Sequence, residues 1–287
     1  MKNALIDLLA VEGRFNAGWG SLAYRERGDR NEPTVVFVHA MSFDQEIWRD
    51  VFSLIPSGYR LISFDLRGHG KSDTPTLPYD LHDYASDTIS LLDHLQVKDC
   101  TLVGMSFGGM VAQLVASLRP ELIGRLVLSN TATKIGIHED WLAAAEEARQ
   151  HGFTRINTMS DLERLFPQRF LDTSPLIDAI VQRRMNRSVE GYIGCCHAIG
   201  SADLSGSSSE LDQPTLVIGS DEDTVTPPDV VETLAATIPN SSTNMIFGAG
   251  HLPCLDAPRA FTELLMSFLR SPGPEIATQE QNPKDDL

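Results

Sequence analysis

The sequence predicts an α/β fold: a mostly parallel, twisted sheet flanked by helices, with a helical cap inserted after the sixth strand. Three observations carry this. Short β-branched apolar runs recur along the chain, Thr34-Val35-Val36-Phe37-Val38 being the clearest, and such runs read as strands buried on both faces. Segments with helical apolar spacing alternate with them, as parallel βαβ units require. One stretch, residues 133–209, keeps the helical spacing but carries no strand.

The elements follow in order. Residues 13–17 and 21–27 flank Gly18-Trp19-Gly20 and read as a hairpin, with Leu22 and Tyr24 alternating. After the strand 34–38, further strands are expected at 60–64, 100–103, 125–128, 214–218 and 243–247. Leu81, Tyr84, Ala85, Thr88, Leu91, Leu92 and Leu95 mark one helix. Met110, Val111, Leu114, Val115 and Leu118 mark another, which stops before Pro120. Phe261, Leu264, Leu265 and Phe268 mark the last. Within the cap, helices are expected at 141–150, 160–166, 175–185 and 189–199, and the Ser/Gly run 205–209 reads as a linker back to the core. The predicted organisation is a core of 13–132 and 210–270, a cap of 133–209, and a disordered tail of 271–287, which is polar and Pro-bearing.

Composition narrows the function classes. The chain has 287 residues, 42% hydrophobic and 22% charged, enough for a sizeable core. A formal net charge of −16 repels phosphate backbones and anionic lipid, so neither nucleic acid nor membrane is an expected partner. The four cysteines, Cys100, Cys195, Cys196 and Cys254, show no zinc spacing and no disulfide framework. Free thiols, no run of eighteen apolar residues and no h-region in residues 1–11 fit a cytoplasmic protein. Whether copies associate into a homo-oligomer is open.

The strongest motif is Gly104-Met105-Ser106-Phe107-Gly108, a G-x-S-x-G between a strand and a helix. A serine on that sharp turn is lifted out as a nucleophile, with the helix N-terminus below it favouring developing negative charge. Such a serine needs a base, and the base an orienting acid, in the order Ser, Asp or Glu, His. His251 follows Gly248-Ala249-Gly250 after the last expected strand and is the candidate base. Asp221, Glu222 and Asp223 cluster after the strand 214–218; Asp223, just before the Thr224-Val225-Thr226-Pro227 turn, is favoured as the acid, with Asp221 its rival. An oxyanion hole needs two backbone N–H groups, expected from Phe107 and from Met41 in the His39-Ala40-Met41-Ser42 loop. The run Asp65-Leu66-Arg67-Gly68-His69-Gly70-Lys71-Ser72 lacks the spacing of a phosphate loop, and a bracing role for Asp65 and Arg67 is expected instead. The implied chemistry needs neither metal nor organic cofactor.

Together these motifs resemble the α/β-hydrolase superfamily over about residues 15–270. Asp65–Ser72 is similar to its D-x-R-G-x-G-x-S signature and Gly248–His251 to its G-x-G-H ending. In the cap, Asn130-Thr131-Ala132-Thr133-Lys134-Ile135-Gly136 and Gly191-Tyr192-Ile193-Gly194-Cys195-Cys196-His197-Ala198-Ile199 are similar to the N-T-A-x-K-I-G and G-Y-x-x-C-C-x-A-I segments of 3-oxoadipate enol-lactonases. The resemblance implies hydrolysis of an enol-lactone within aromatic degradation. Where that family continues A-I-R-D, this chain has Ala198-Ile199-Gly200-Ser201, which removes one partner for a substrate carboxylate. Lys134, His197, Arg183 and Arg184 are candidate replacements, and Trp141, Ile135, Phe166 and Met185 are candidate pocket walls. Other readings share the same three groups: hydrolysis of another ester or lactone such as an acyl-homoserine lactone, cofactor-free haloperoxidase or perhydrolase chemistry, or a hydrolase-like ligand sensor.

Overall fold

The structure is a computed structural model that describes residues 10–271. The N-terminal segment read for a signal sequence and the tail expected to be disordered lie almost wholly outside that range.

Strands β1 (Val11–Asn16) and β2 (Ser21–Arg27) make the expected hairpin. There follow β3 (Thr34–Val38), α1 (Arg49–Leu54), β4 (Arg60–Phe64), α2 (Leu81–His94), β5 (Cys100–Met105), α3 (Phe107–Leu118) and β6 (Ile123–Ser129). All five residues of β3 are buried, as its unbroken apolar run requires. Helix α2 starts at Asp80, whose side chain accepts from the N–H of His82 and Asp83 while Asp83 accepts from the Asp80 N–H, a reciprocal cap that satisfies otherwise orphaned donors.

The cap comprises α4 (His138–His151), α5 (Arg155–Leu165), α6 (Gln168–Thr173), α7 (Ile177–Met185), α8 (Val189–Ser201) and α9 (Ser205–Ser208). Two of these differ from expectation. The segment read as a linker forms the single turn α9, because the Asp203 carboxylate accepts from the Ser205 N–H and buried Ser208 donates to Gln113. Helix α6 is too short to show a periodic pattern in sequence. The core resumes with β7 (Thr215–Ser220), α10 (Pro228–Thr237), β8 (Ser241–Ile246), α11 (Pro253–Asp256) and α12 (Pro258–Arg270).

The strand order is β1-β2-β4-β3-β5-β6-β7-β8, with β1, β2 and β4 joined antiparallel and the other pairings parallel. β8 begins two residues and ends one residue before its expected span, half of it is exposed, and Phe247 lies outside it at 81% exposure. As an edge strand it pairs only with β7, so it needs no apolar residues on both faces.

Two apolar layers cover the sheet. Leu81, Tyr84, Leu91, Val111 and Val231 pack on one face; Trp48, Val51, Phe261 and Leu265 pack on the other. The loop after β4 is fixed by a buried ion pair: Arg67 Nε and Nη2 donate to the two Asp87 oxygens on α2 at 2.7 and 2.9 Å. Trp19 Nε1 donates to the same carboxylate at 2.8 Å, and its ring lies 4.9 Å from the guanidinium. Asp65 accepts from the N–H of Gln45 and Lys71, both at 2.8 Å. Asp65 and Arg67 therefore brace the loop through separate partners.

Candidate active site

Chemical groups gather at the carboxyl ends of β3, β5, β6, β7 and β8, beside the point where the strand order reverses about β3 and β5. Ser106 joins β5 to α3 with φ 54° and ψ −117°, a sparsely populated conformation that costs of order 1–3 kcal/mol and persists only where surroundings enforce it. Here they do. A Cβ on Gly104 would meet the Gly108 carbonyl oxygen at 2.4 Å, and one on Gly108 would meet the Val38 carbonyl oxygen at 2.3 Å. The Ser106 N–H donates to Ser129 O at 2.9 Å and its carbonyl accepts from Thr131 Oγ1 at 2.7 Å.

Ser106 Oγ lies 2.8 Å from His251 Nε2, and His251 Nδ1 lies 2.8 Å from Asp223 Oδ2. All three side chains are buried. The rival carboxylates point elsewhere: Asp221 accepts from the Gly248 N–H at 2.5 Å, and Glu222 pairs with Arg169 at 2.9 Å. Asp223 Oδ1 accepts from the N–H of Val225 and Thr226, and Oδ2 from Thr226 Oγ1 at 2.7 Å and Asn130 Nδ2 at 2.9 Å. Burial alone would raise the Asp223 carboxyl, but His251, Asn130 and Thr226 together hold it below its ordinary value.

Asn130 and Thr226 carried no signal of this role in sequence. Asn130 follows β6 in the left-handed region, φ 47°, and is fully buried. Asparagine tolerates that conformation better than most residues. Its Nδ2 reaches Asp223 and Ser220, while Ser129 Oγ donates to its Oδ1.

The two segments expected to supply N–H donors both adjoin Ser106. Phe107 opens α3, where the first helical N–H has no intrahelical acceptor. Met41 lines the cavity over Ser106, and its loop is pinned by buried His39. His39 Nε2 accepts from the Leu66 N–H at 2.9 Å, which leaves Nδ1–H to donate to Ala40 O at 2.8 Å.

The cavity occupies about 130 Å³, and Met41, Trp141, Tyr192, Arg164, Arg184 and Asp161 stand around Ser106 and His251. Trp141 is held by its Nε1–H donating to Ile135 O at 2.7 Å. Several expected contacts do not occur. Lys134 is half exposed and pairs with Asp203 at 3.7 Å, outside the cavity lining. His197 on α8 does not line it, Ile135 is absorbed into the core, Phe166 stacks on Phe170 at 4.6 Å, and Met185 packs against the second apolar layer. Arg183 turns to Asp44 at 3.1 Å. Of the cations proposed from sequence, Arg184 alone lines the cavity with Ser106 and His251.

The cap is bonded to this machinery. Its Leu165 carbonyl accepts the His251 N–H at 2.7 Å, and its Arg164 carbonyl accepts from Thr224 Oγ1 at 2.9 Å. Among the described residues no group of three or more His, Cys, Asp or Glu could hold a metal ion, and no helix is long and apolar enough to cross a membrane.

Comparison with known proteins agrees with this fold. A family model described as alpha/beta hydrolase fold matches residues 33–258. The chain is 31% identical over 251 residues to 3-oxoadipate enol-lactonase 2 of Acinetobacter baylyi, covering 87% of this chain and 93% of that protein. The enol-lactonase from Burkholderia xenovorans superposes with a TM-score of 0.86 at 28% identity, covering 90% of this chain and all of the other. A thermophilic esterase from Thermogutta terrifontis, solved with malate bound, gives 0.83 at 27% identity, covering 91% and 98%.

Proposed function

Because the chain belongs to the alpha/beta hydrolase fold family, we propose that it is a serine hydrolase opening a small ester or lactone through an acyl-enzyme, with an enol-lactone of the 3-oxoadipate type as its substrate. The observation that carries this reading is the continuous chain from Ser106 Oγ to His251 to Asp223, two contacts of 2.8 Å, ending in a cavity under the cap.

In this mechanism His251 Nε2 takes the proton of Ser106 as Oγ attacks the ester carbonyl. Asp223 receives the Nδ1–H of His251, which fixes the tautomer with Nε2 free to act as base and stabilises the imidazolium that forms. The carbonyl oxygen becomes an oxyanion between the N–H groups of Phe107 and Met41; one such donor is worth about 10²–10³ in rate. Collapse expels the enolate, which takes the proton from Nε2 and stays tethered to the acyl chain. Water then attacks the acyl carbonyl as His251 removes its proton, the bond to Ser106 Oγ breaks, and His251 returns the proton to Oγ as the acid leaves. No step calls on a metal or organic cofactor. The family resemblance in the cap and the likeness to enol-lactonases support the choice of lactone. A cytoplasmic setting, with all four thiols free, belongs to the same proposal.

The test is turnover of purified protein on 3-oxoadipate enol-lactone, p-nitrophenyl acetate and an acyl-homoserine lactone. A kcat/KM above about 10⁴ M⁻¹s⁻¹ on the enol-lactone, the range of working enzymes, with a loss of about 10³-fold or more in Ser106→Ala, is expected. Good turnover only on another ester would discard the lactone. Near-normal activity in Ser106→Ala would discard the nucleophile.

A further inference from the structure

The cavity has a second chemical pole. Arg184, on α7, lines it, with its side chain only 6% exposed. One of its nitrogens, Nη2, donates to Asp161 Oδ2 at 3.0 Å, while Nε is buried without a partner. Arg187, one turn further on, is 9% exposed and lies 3.7 Å from the same Asp161 oxygen; its Nε also lacks a partner. Asp161, at 42% exposure, is thus the single carboxylate shared by two buried guanidiniums. Burial pulls both guanidiniums below their ordinary value, Arg187 to about 9 with the Arg184 charge adding to the effect, as two cations sharing one carboxylate should. Their planes rest on aromatic faces: Arg184 on Phe43 at 4.8 Å, Arg187 on Phe153 at 3.5 Å.

A buried cation is costly unless it is paired. Here a chain of net charge −16 buries one guanidinium in the wall of the Ser106 cavity and a second behind it, and supplies one half-exposed anion between the two. The local excess of positive charge and the unpartnered Nε–H of Arg184 suit an oxyanion, which a guanidinium holds through charge-assisted hydrogen bonds. We propose that Arg184, backed by Arg187, is the subsite for a free carboxylate on the substrate, so that the protein selects anionic esters and lactones over neutral ones. This rests on the hydrolase reading above. The lactone of a dicarboxylic acid fits, since one carboxyl closes the ring and the other stays free; a neutral acyl-homoserine lactone does not.

The experiment compares two matched substrates, the mono-p-nitrophenyl ester of adipic acid with its second carboxyl free, and the same ester with that carboxyl methylated. The wild-type protein is expected to prefer the anionic ester about 30-fold in kcat/KM, equivalent to about 2 kcal/mol, mainly through KM. In Arg184→Gln the preference should fall below about 3-fold, and Arg184→Lys should keep part of it. Since Arg184 is buried, wild-type protein carries an independent arm: free adipate should inhibit neutral-ester hydrolysis competitively, and dimethyl adipate should not. A wild-type ratio near one, or a full ratio surviving in Arg184→Gln, overturns the subsite while hydrolysis and fluorophosphonate labelling of Ser106 persist. Loss of both hydrolysis and labelling in the wild-type protein would overturn the hydrolase reading instead.

Discussion

Asn130→Gly isolates the contribution of a residue that touches no substrate. Glycine accepts the left-handed backbone at position 130 without strain, so the substitution removes the side chain and little else. Asp223 then loses the Asn130 Nδ2 donor at 2.9 Å and keeps Thr226 Oγ1, two backbone N–H groups and His251. A hydrogen bond to a charged group contributes about 1.5–3 kcal/mol. Burial works against the carboxylate while His251, Asn130 and Thr226 hold it below its ordinary value, and Asn130 fixes the same oxygen that meets His251, so losing this donor frees that oxygen to turn away from the imidazole. If the bond's full worth falls on the transition state, kcat drops about 10- to 100-fold at 1.36 kcal/mol per decade. Steady-state hydrolysis of p-nitrophenyl acetate reads this, with burst titration counting intact Ser106 sites. Asn130→Asp, which sets a second carboxylate against Asp223, should fall further at neutral pH. A kcat within about 3-fold of wild type in Asn130→Gly, with a full burst, would refute the reasoning and leave Asn130 a packing residue.

Two further perturbations test the frame around the site. Burial pushes the Asp256 carboxyl up to about 6, against the Gly250 N–H that it accepts at 2.7 Å. A carboxyl raised above its unfolded value contributes stability at low pH that is lost as pH rises through about 6. Asp256→Asn, which keeps an acceptor and never ionises, should therefore match wild type in urea unfolding near pH 4 and exceed it at pH 8, by up to about 3 kcal/mol at 1.36 kcal/mol per unit; equal stability at pH 8 would contradict this. Arg67→Leu strands the buried Asp87 carboxylate with Trp19 as its remaining side-chain donor. It should cost about 3–5 kcal/mol, and adding Asp87→Asn should recover part of that in the same assay.

What the sequence could reveal depended on how locally each feature is written. The strand β3 and the turn at Ser106 are spelled in consecutive residues, because burial on two faces and a strained elbow both impose short patterns. His251 was legible from its place after the last strand. Among three adjacent carboxylates the turn at Thr224–Pro227 favoured Asp223, but they look alike in sequence until the chain turns Asp223 onto His251 and sends Asp221 to Gly248 and Glu222 to Arg169. Asn130 lies 93 residues from Asp223, and nothing local marks such a bond. The same limit misplaced Lys134 and His197. Their segments resemble a family's cap, but which face of a helix meets the cavity is decided by packing, and packing gave the place to Arg184.

The Leu165 carbonyl that accepts the His251 N–H makes the cap something other than an interchangeable cover. Grafting a relative's cap onto this core to change substrate range would also exchange the group that seats His251, the proposed base. Chimeras of this fold should therefore fail in turnover before they fail in recognition, unless the graft junctions keep residues 164–167 with the host. Directed evolution from such a chimera would be expected to repair that seam first.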